Sequence, residues 1–265
     1  MKAPLEILIS TVDRDNADFL RDMFPGGLPP VPVLIVNQSD KGSEISEDKL
    51  PSGVRAVNMR GYGLSRSRNE ALLHARGEFL LLADDDVRFM PGFERQVIEA
   101  HKRFDAPVLI FPAADTQDHP LGYRSLHARE IKDFTQIFSP QISLKRAWFG
   151  NNRVRFDPLF GLGARFPDSE NFVFLQDVRQ AGGKIFYAGG PPIVRHSHVN
   201  SSWFLENDGV FETRLALHKK YGGRLPLWAY FLKLWTGLWL RRRAGWKDLP
   251  VKWRLYRRVR SFNFG

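Results

Sequence analysis

Cysteine is absent from the 265 residues of this chain. Its absence excludes a disulfide framework, a thiolate metal site and a cysteine nucleophile, and it fits a reducing cytoplasm. The N-terminus also lacks an apolar segment with a cleavage signal, because residues 1–4 lead directly into the strand-like Leu5–Val12. We therefore expect no export. The sequence also lacks the run of about 20 apolar residues that a helix needs to cross a bilayer.

Acidic residues are scarce at the C-terminal end. Residues 219–265 contain 13 Lys or Arg and one acid, Asp248, whereas residues 1–218 contain 26 basic and 28 acidic residues. The net charge of +10 therefore originates in the tail. Five of the seven tryptophans also lie there, between residues 228 and 253.

The tail carries an aromatic pattern at helical spacing, followed at once by three arginines at 241–243. The predicted apolar face consists of Trp228, Phe231, Leu232, Trp235, Leu238 and Trp239. Tryptophan mixed with Arg and Lys is favoured at membrane interfaces, so we expect residues 223–265 to be a helical tail that contacts an anionic membrane. The alternative is that the aromatic residues pack on the preceding domain and the arginines are simply solvated.

Short apolar runs alternate with helical patterns in the first part of the chain. The predicted strands are residues 5–12, 31–36, 54–57, 79–83, 107–111 and 184–188, with another at 137–142 in an otherwise irregular region, 112–152. The predicted helices are residues 15–23, one capped at Ser65, 91–104, 170–181 and 202–221. This order predicts a parallel, Rossmann-like sheet with flanking helices.

Three carboxylates, Asp84, Asp85 and Asp86, directly follow the buried strand predicted at 79–83. Ligands of open α/β sheets bind outside the carboxyl ends of the strands, so the position is one where a site is expected. Oxygen ligands suit Mg2+ or Mn2+, and such an ion could hold a diphosphate. The alternative is a solvated acidic turn.

Two further segments carry candidate residues. Glu170 follows a glycine-rich loop and begins a predicted helix, where an acid is either a helix-dipole partner or a functional carboxylate. His196 and His198 point to the same side if their segment is extended, which permits metal ligation. A surface or core role is the alternative for each histidine.

Three motifs occur in a fixed order: Gly63-Leu64-Ser65-x-x-Arg68-Asn69, Gly77-Glu78-Phe79-Leu80 and Asp84-Asp85-Asp86. Together they resemble the nucleotide-sugar half of glycosyltransferase family 2, which has the GT-A fold. The resemblance covers residues 5–90. It implies an α/β GT-A domain over residues 1–222, followed by the basic helical appendage.

The resemblance also implies roles for individual residues. The nucleotide-sugar donor would contact Thr11, Asp13, Asn37, Asp40, Arg68, Asn69, Asp84 and Asp85. A divalent metal, Mn2+ or Mg2+, would be held by Asp84 and Asp86, together with His196 or His198. The catalytic base would be Glu170, because the preceding Phe156-Asp157-x-x-Phe160-Gly161-x-Gly163 resembles the loop that leads to the family's base. Ser169 would stand at the position of the family's preceding acid, with Asp168 in reserve. The second strand ends in Asn37-Gln38-Ser39-Asp40 where the family commonly has Asp-Asp-Gly-Ser.

The predicted function is inverting transfer of a sugar from a nucleoside diphosphate sugar to a hydroxyl acceptor. The acceptor would be a carbohydrate or lipid-linked precursor of a surface polysaccharide or lipopolysaccharide, at the cytoplasmic face of the cell membrane. One alternative is a non-catalytic protein that binds an anionic membrane or nucleic acid, and another is a nucleotidyltransferase. We expect no nucleic-acid partner, because residues 1–218 are near neutral and the tail has no recognisable nucleic-acid motif.

Overall fold

The computed structural model describes residues 4–123, 125, 127–196 and 205–264. The chain divides into two compact units. The first consists of Met1–Pro158 and Glu170–Val199, and the second of Leu159–Ser169 and Asn200–Gly265. The second unit therefore includes the helix that precedes the predicted tail, instead of beginning at residue 223.

The strands all lie in the first unit of the described chain. They are β1 (Leu5–Val12), β2 (Val33–Gln38), β3 (Val54–Met59), β4 (Phe79–Asp84), β5 (Val87–Phe89), β6 (Val108–Ile110), β7 (Ala113–Ala114), β8 (Pro120–Leu121), β9 (Arg129–Glu130), β10 (Ile142–Lys145), β11 (Ile185–Tyr187) and β12 (Val194–His196).

An eight-stranded sheet with the order β3-β2-β1-β4-β10-β6-β11-β9 forms the centre of the first unit. Strands β1 to β4 pair in parallel, whereas β10 runs antiparallel to both of its neighbours. A smaller sheet has the order β5-β12-β7-β8. The predicted mixed α/β fold with a large, mostly parallel sheet is confirmed.

The helices of the first unit are α1 (Leu20–Met23), α2 (Leu64–His74), α3 (Phe93–Arg103), α4 (Arg146–Asn152) and α5 (Glu170–Gln180), and those of the second are α6 (Asp208–Tyr221), α7 (Leu227–Leu240) and α8 (Leu249–Ser261). Short 3-10 turns occur at Glu47–Lys49, Ser139–Gln141 and Trp246–Asp248.

Both faces of the large sheet are covered by apolar side chains. On β1, Ile7 and Ile9 belong to the core layer that also contains Phe93 of α3. Leu8 points to the other layer, together with Leu72 of α2. Burial on both faces explains why these strands appear in the sequence as unbroken apolar runs instead of alternating patterns.

The second unit has its own core, formed by α6, α7 and α8. Phe231, Trp235 and Leu238 of α7 are buried there, whereas Trp228 and Trp239 are 57% and 44% exposed. The predicted single aromatic face is thus wrong in part, because half of it packs inward. Within the described parts of the chain, no helix is both long enough and apolar enough to cross a bilayer.

Candidate functional site

Polar side chains gather at the carboxyl edge of the parallel strands in the first unit. The register pairs Ser10 of β1 with Asp84 of β4, and Thr11 with Asn37 of β2. The chain leaves all three strands at this edge, so their terminal residues lie together. This edge is where an open α/β sheet binds its ligand.

Arg68 is the centre of the site and is only 2% exposed. Its Nη2 donates to Oδ1 of Asp84 at 3.1 Å, and its Nη1 donates to Oε1 of Glu170 at 3.0 Å. Further hydrogen bonds go to Oδ1 of Asn171 at 3.0 Å and to the hydroxyl of Ser139. One buried guanidinium therefore joins the carboxylate that ends β4 to the carboxylate that begins α5.

Local sequence explains why Arg68 reaches this position. Gly63 precedes α2 at φ +141°, a backbone conformation that residues with a side chain rarely adopt. One turn later, the hydroxyl of Ser67 donates to that of Ser10 at 3.0 Å, which fixes the helix against β1. The guanidinium carbon of Arg68 also lies 5.4 Å from the centre of the Phe156 ring, a cation–π contact that favours the charged group there.

Asp85 has two other partners. Its Oδ2 accepts hydrogen bonds from the hydroxyl of Thr11 at 2.5 Å and from Nη2 of Arg14 at 2.7 Å. Thr11 is nearly buried, at 3% exposure. The predicted pair Thr11 and Asp85 is therefore brought together, and Arg14 joins it without having been predicted.

Asp86 lies beside His196, with its Oδ1 3.5 Å from Nε2 of the imidazole. Partial burial raises the pKa of Asp86; the charge of His196 opposes that rise, and Asp84 and Asp85 add to it. Each of the three successive carboxylates thus has its own partners. Of the four candidate metal ligands, Asp86 and His196 lie together, Asp84 is directed to Arg68, and His198 lies outside the described residues.

The residues at this edge offer few ligands for the implied metal. No group of three or more His, Cys, Asp or Glu that could hold an ion occurs in the described part of the chain. Mg2+ in proteins is commonly held by one or two carboxylates together with substrate phosphates and water, so it does not need a full protein cage. Asp86 fits such an ion as a carboxylate ligand. The imidazole of His196, 3.5 Å away, would be a second ligand of a type that transition metals accept more readily than Mg2+.

Asp13 is held on the same edge by three neighbours. It accepts from the hydroxyl of Tyr62 at 3.0 Å and pairs with Nζ of Lys41 at 3.1 Å. The pKa of Asp13 is lowered, chiefly by a hydrogen bond from Ser39; desolvation opposes this effect, and Lys41 and Tyr62 reinforce it. Asp40 lies next to this group on an exposed loop.

Asn37 and Asn69, which were predicted to contact the nucleotide-sugar donor, form hydrogen bonds with the backbone. The amide of Asn37 is fully buried, accepts from the amide of Arg14 at 3.0 Å and donates to the carbonyls of Arg14 and Ser43. Asn69 donates to the carbonyl of Phe156 at 2.8 Å and accepts from its amide at 2.9 Å. Both side chains use their donor and acceptor atoms to hold loops at the edge of the site.

The reserve carboxylate belongs to the second unit. Oδ1 of Asp168 accepts from the amide of Ser169 at 2.6 Å, and its Oδ2 lies 3.7 Å from Nη2 of Arg214. Ser169 has a left-handed backbone, with φ +69°. Asp168 is thus oriented by a turn and by one cation.

Sequence reasoning missed several residues of the site. Arg14, Ser139 and Asn171 all contact predicted residues, yet none belongs to the motifs described above. Asn171 carried a usable signal, because it directly follows Glu170 on a predicted helix. Ser139 lies in the strand predicted at 137–142, outside every motif, and its contact with Arg68 depends on tertiary structure.

Comparison with known proteins gives the class. The model of glycosyl transferase family 2 matches residues 29–163, just over half of the chain. This chain therefore belongs to glycosyl transferase family 2. Comparison with curated protein sequences finds no match.

Solved structures of S. aureus TarS have a similar fold. The chain aligns with TarS 1-349 at a TM-score of 0.59 and 14% identity, covering 96% of this chain and 78% of TarS 1-349. The complex of TarS 1-349 with UDP-GlcNAc aligns at 0.58 and 15% identity, with the same coverage. A longer TarS structure aligns at 0.60 and 15% identity, with 47% of its own chain covered. Together with the family match, these alignments confirm the GT-A fold.

Proposed function

We propose that this chain is an inverting glycosyltransferase that moves a sugar from a nucleoside diphosphate sugar to a hydroxyl acceptor. The observation that carries the proposal is the buried Arg68, which links Asp84 to Glu170 at the carboxyl edge of the sheet. The family match supports glycosyl transfer over nucleotidyl transfer and over non-catalytic binding. The TarS complex with UDP-GlcNAc supports a nucleotide sugar as the donor.

The donor would lie across the ends of β1, β2 and β4. In this proposal Asp13 and Asp40 recognise the nucleoside, and Thr11 and Asp85 lie beside the ribose or the sugar. Arg68 orients the carboxylate of Asp84 towards the donor through its hydrogen bond. Asn37 and Asn69 act indirectly, by fixing the loops that shape the pocket.

Asp86 and His196 would hold a divalent ion, Mg2+ or Mn2+, with the donor phosphates completing its coordination. When bound, the ion supplies positive charge next to the diphosphate. The protein's own contribution here is to place a carboxylate and an imidazole 3.5 Å apart at the strand edge.

Glu170 is the proposed base. An acceptor hydroxyl is a weak nucleophile, so its proton would pass to the carboxylate as its oxygen bonds to the anomeric carbon. The bond from that carbon to the diphosphate oxygen breaks in the same step, and the electron pair leaves with the diphosphate. Attack from the opposite face inverts the anomeric centre. The hydrogen bond from Arg68 fixes the orientation of Glu170.

The proposed acceptor is a lipid-linked or cell-surface polysaccharide or lipopolysaccharide precursor. The proposed location is the cytoplasmic face of the cell membrane. Support comes from residues 219–265, which contain 13 basic residues and one acid, and from the exposed tryptophans of the second unit. Cations near an anionic leaflet each contribute about 1 kcal/mol to adsorption.

A donor screen tests the function. The full chain is heated with UDP-, GDP-, CMP- and dTDP-sugars, with and without Mn2+, and one donor class should raise the unfolding temperature. Donor at a hundred times its Kd stabilises the native state by about 2.7 kcal/mol. In Asp86→Asn, the part of the shift that requires Mn2+ should disappear. Absence of any shift with every donor would contradict the proposal.

Paired variants test the base. Glu170→Gln should retain the donor-induced thermal shift while turnover falls by about 10²- to 10⁴-fold. Asp168→Asn is the matched comparison, because it removes the other candidate carboxylate. If Asp168→Asn loses turnover and Glu170→Gln does not, the assignment of the base passes to Asp168.

A further inference from the structure

The end of α7 and its connection to α8 border an open surface pocket of about 770 Å³. It is lined by Trp239, Leu240, Arg242, Arg243, Ala244, Gly245, Lys247 and Asp248. The end of α7 is closed by two backbone hydrogen bonds, from Arg242 to the carbonyl of Trp239 and from Arg243 to that of Leu238, both at 2.9 Å. The pocket is thus part of an ordered helix end.

The charges that line the pocket are mostly positive. Arg243 is paired with Glu206, its Nη1 lying 3.0 Å from Oε1. The carboxylate of Asp248 accepts the amide of Gly245 at 2.8 Å, so this acid caps the turn. Arg242 and Lys247 are exposed and line the same pocket. An anionic group, and above all a phosphate, is the complementary ligand.

Apolar side chains surround these cations. Trp239 and Trp246 are 44% and 69% exposed, with ring centroids 6.1 Å apart and planes inclined by 56°. On the same side of α7, Trp228 and Leu232 precede Trp239 by eleven and seven residues, which places all three on one stripe of the helix. A soluble surface rarely exposes so many large apolar groups together without a binding role.

We propose that this surface, defined as Trp228, Leu232, Trp239, Arg242, Trp246 and Lys247 and called the docking face, binds an anionic phospholipid bilayer. The pocket takes a headgroup phosphate, while the tryptophan and leucine side chains enter the interface between headgroups and acyl chains. The proposal specifies the membrane partner of the proposed function. A bilayer is favoured over a single-stranded nucleic acid, because it would bury the exposed aliphatic side chains of Leu232 and Leu240. Bases stack on aromatic rings and would leave these leucines in water.

Sedimentation of the full chain with vesicles tests the docking face. Phosphatidylcholine vesicles are compared with vesicles of phosphatidylcholine and phosphatidylglycerol in equal parts. Wild type should bind the anionic vesicles far better than the neutral ones. The double variant Arg242→Gln/Lys247→Gln should lose about 30-fold in partition, since each cation at the surface contributes about fivefold.

A charge-matched control separates the docking face from net charge. Lys102→Gln/Arg103→Gln removes two exposed cations of α3 and should bind as wild type. Trp246→Ala should remove the fraction that resists high salt, because the indole acts by insertion and not by charge. Circular dichroism melts should be unchanged in all three variants, which excludes loss of folding as the cause.

Three results would overturn the proposal. The first is that the wild type binds neutral and anionic vesicles equally well. The second is that the α3 control variant loses as much vesicle binding as Arg242→Gln/Lys247→Gln. The third is that the chain binds single-stranded RNA through Arg242 and Lys247 but does not bind vesicles. Failure of the donor screen with intact vesicle binding would refute the glycosyltransferase proposal alone. A positive donor screen without vesicle binding would refute the docking face alone.

Discussion

Replacement of Arg68 by methionine should destabilise the protein more than any exposed arginine replacement. The change keeps much of the side-chain length but removes the charge that faces Asp84 and Glu170. Removing one partner of a buried ion pair costs about 3–5 kcal/mol, because the other charge stays buried. The side chains of Asp84 and Glu170 are 29% and 12% exposed, so water screens part of the charge left behind. We therefore expect the free energy of unfolding to fall by about 3 kcal/mol.

Urea unfolding followed by circular dichroism measures the loss. Arg66→Met is the matched control, since Arg66 is exposed on the same helix and should change stability by less than about 0.5 kcal/mol. In a Glu170→Gln background, the cost of Arg68→Met should shrink by about 1.5 kcal/mol, because one stranded carboxylate is already neutral. Additive losses in this double-mutant cycle would refute the idea that Arg68 holds Glu170.

Two other predictions concern polar side chains, one of them buried and the other half-buried. Burial lowers the pKa of His101 from 6.5 to about 3, so the unfolded chain takes up the proton first and stability falls as the pH drops below 6.5. Between pH 7 and pH 5, the free energy of unfolding measured in urea should fall by about 2 kcal/mol more for the wild type than for His101→Gln. Equal losses would contradict the lowered pKa of His101. Asn69→Ala breaks both hydrogen bonds to the backbone of Phe156 and should lower the free energy of unfolding by about 2 kcal/mol. Donor affinity should fall only slightly, because Asn69 shapes the pocket without touching the donor. A large loss of affinity would show instead that Asn69 touches the donor.

Local patterns were sufficient to predict the parallel half of the sheet. The strands predicted at 5–12 and 79–83 match β1 and β4 closely, because both are buried on two faces and flanked by turn residues. The structure places β10 at Ile142–Lys145, whereas the sequence favoured 137–142. That strand is inserted antiparallel between β4 and β6, so its position depends on distant partners and not on its own periodicity.

The site was predictable where a residue's role follows from its place on a strand end. Asp85 and Thr11 lie together because β1 and β4 are neighbours in the sheet. The direction of each carboxylate was not predictable, since it depends on side chains from other loops, such as Arg14. The tail shows the same limit: helical spacing identified its apolar residues, but only tertiary packing decides that Phe231 faces inward while Trp228 faces outward.

The fate of two labels in one donor molecule tests the central claim most directly. A nucleotide sugar chosen by the thermal screen carries one label in the sugar and another in the nucleoside, and is incubated with the full chain, Mn2+ and a panel of hydroxyl acceptors. The account predicts that the sugar label moves to the acceptor with inverted anomeric configuration, while the nucleoside label is released as nucleoside diphosphate. Transfer of the nucleoside label to the acceptor, or retention of both labels in the donor under all conditions, would contradict it.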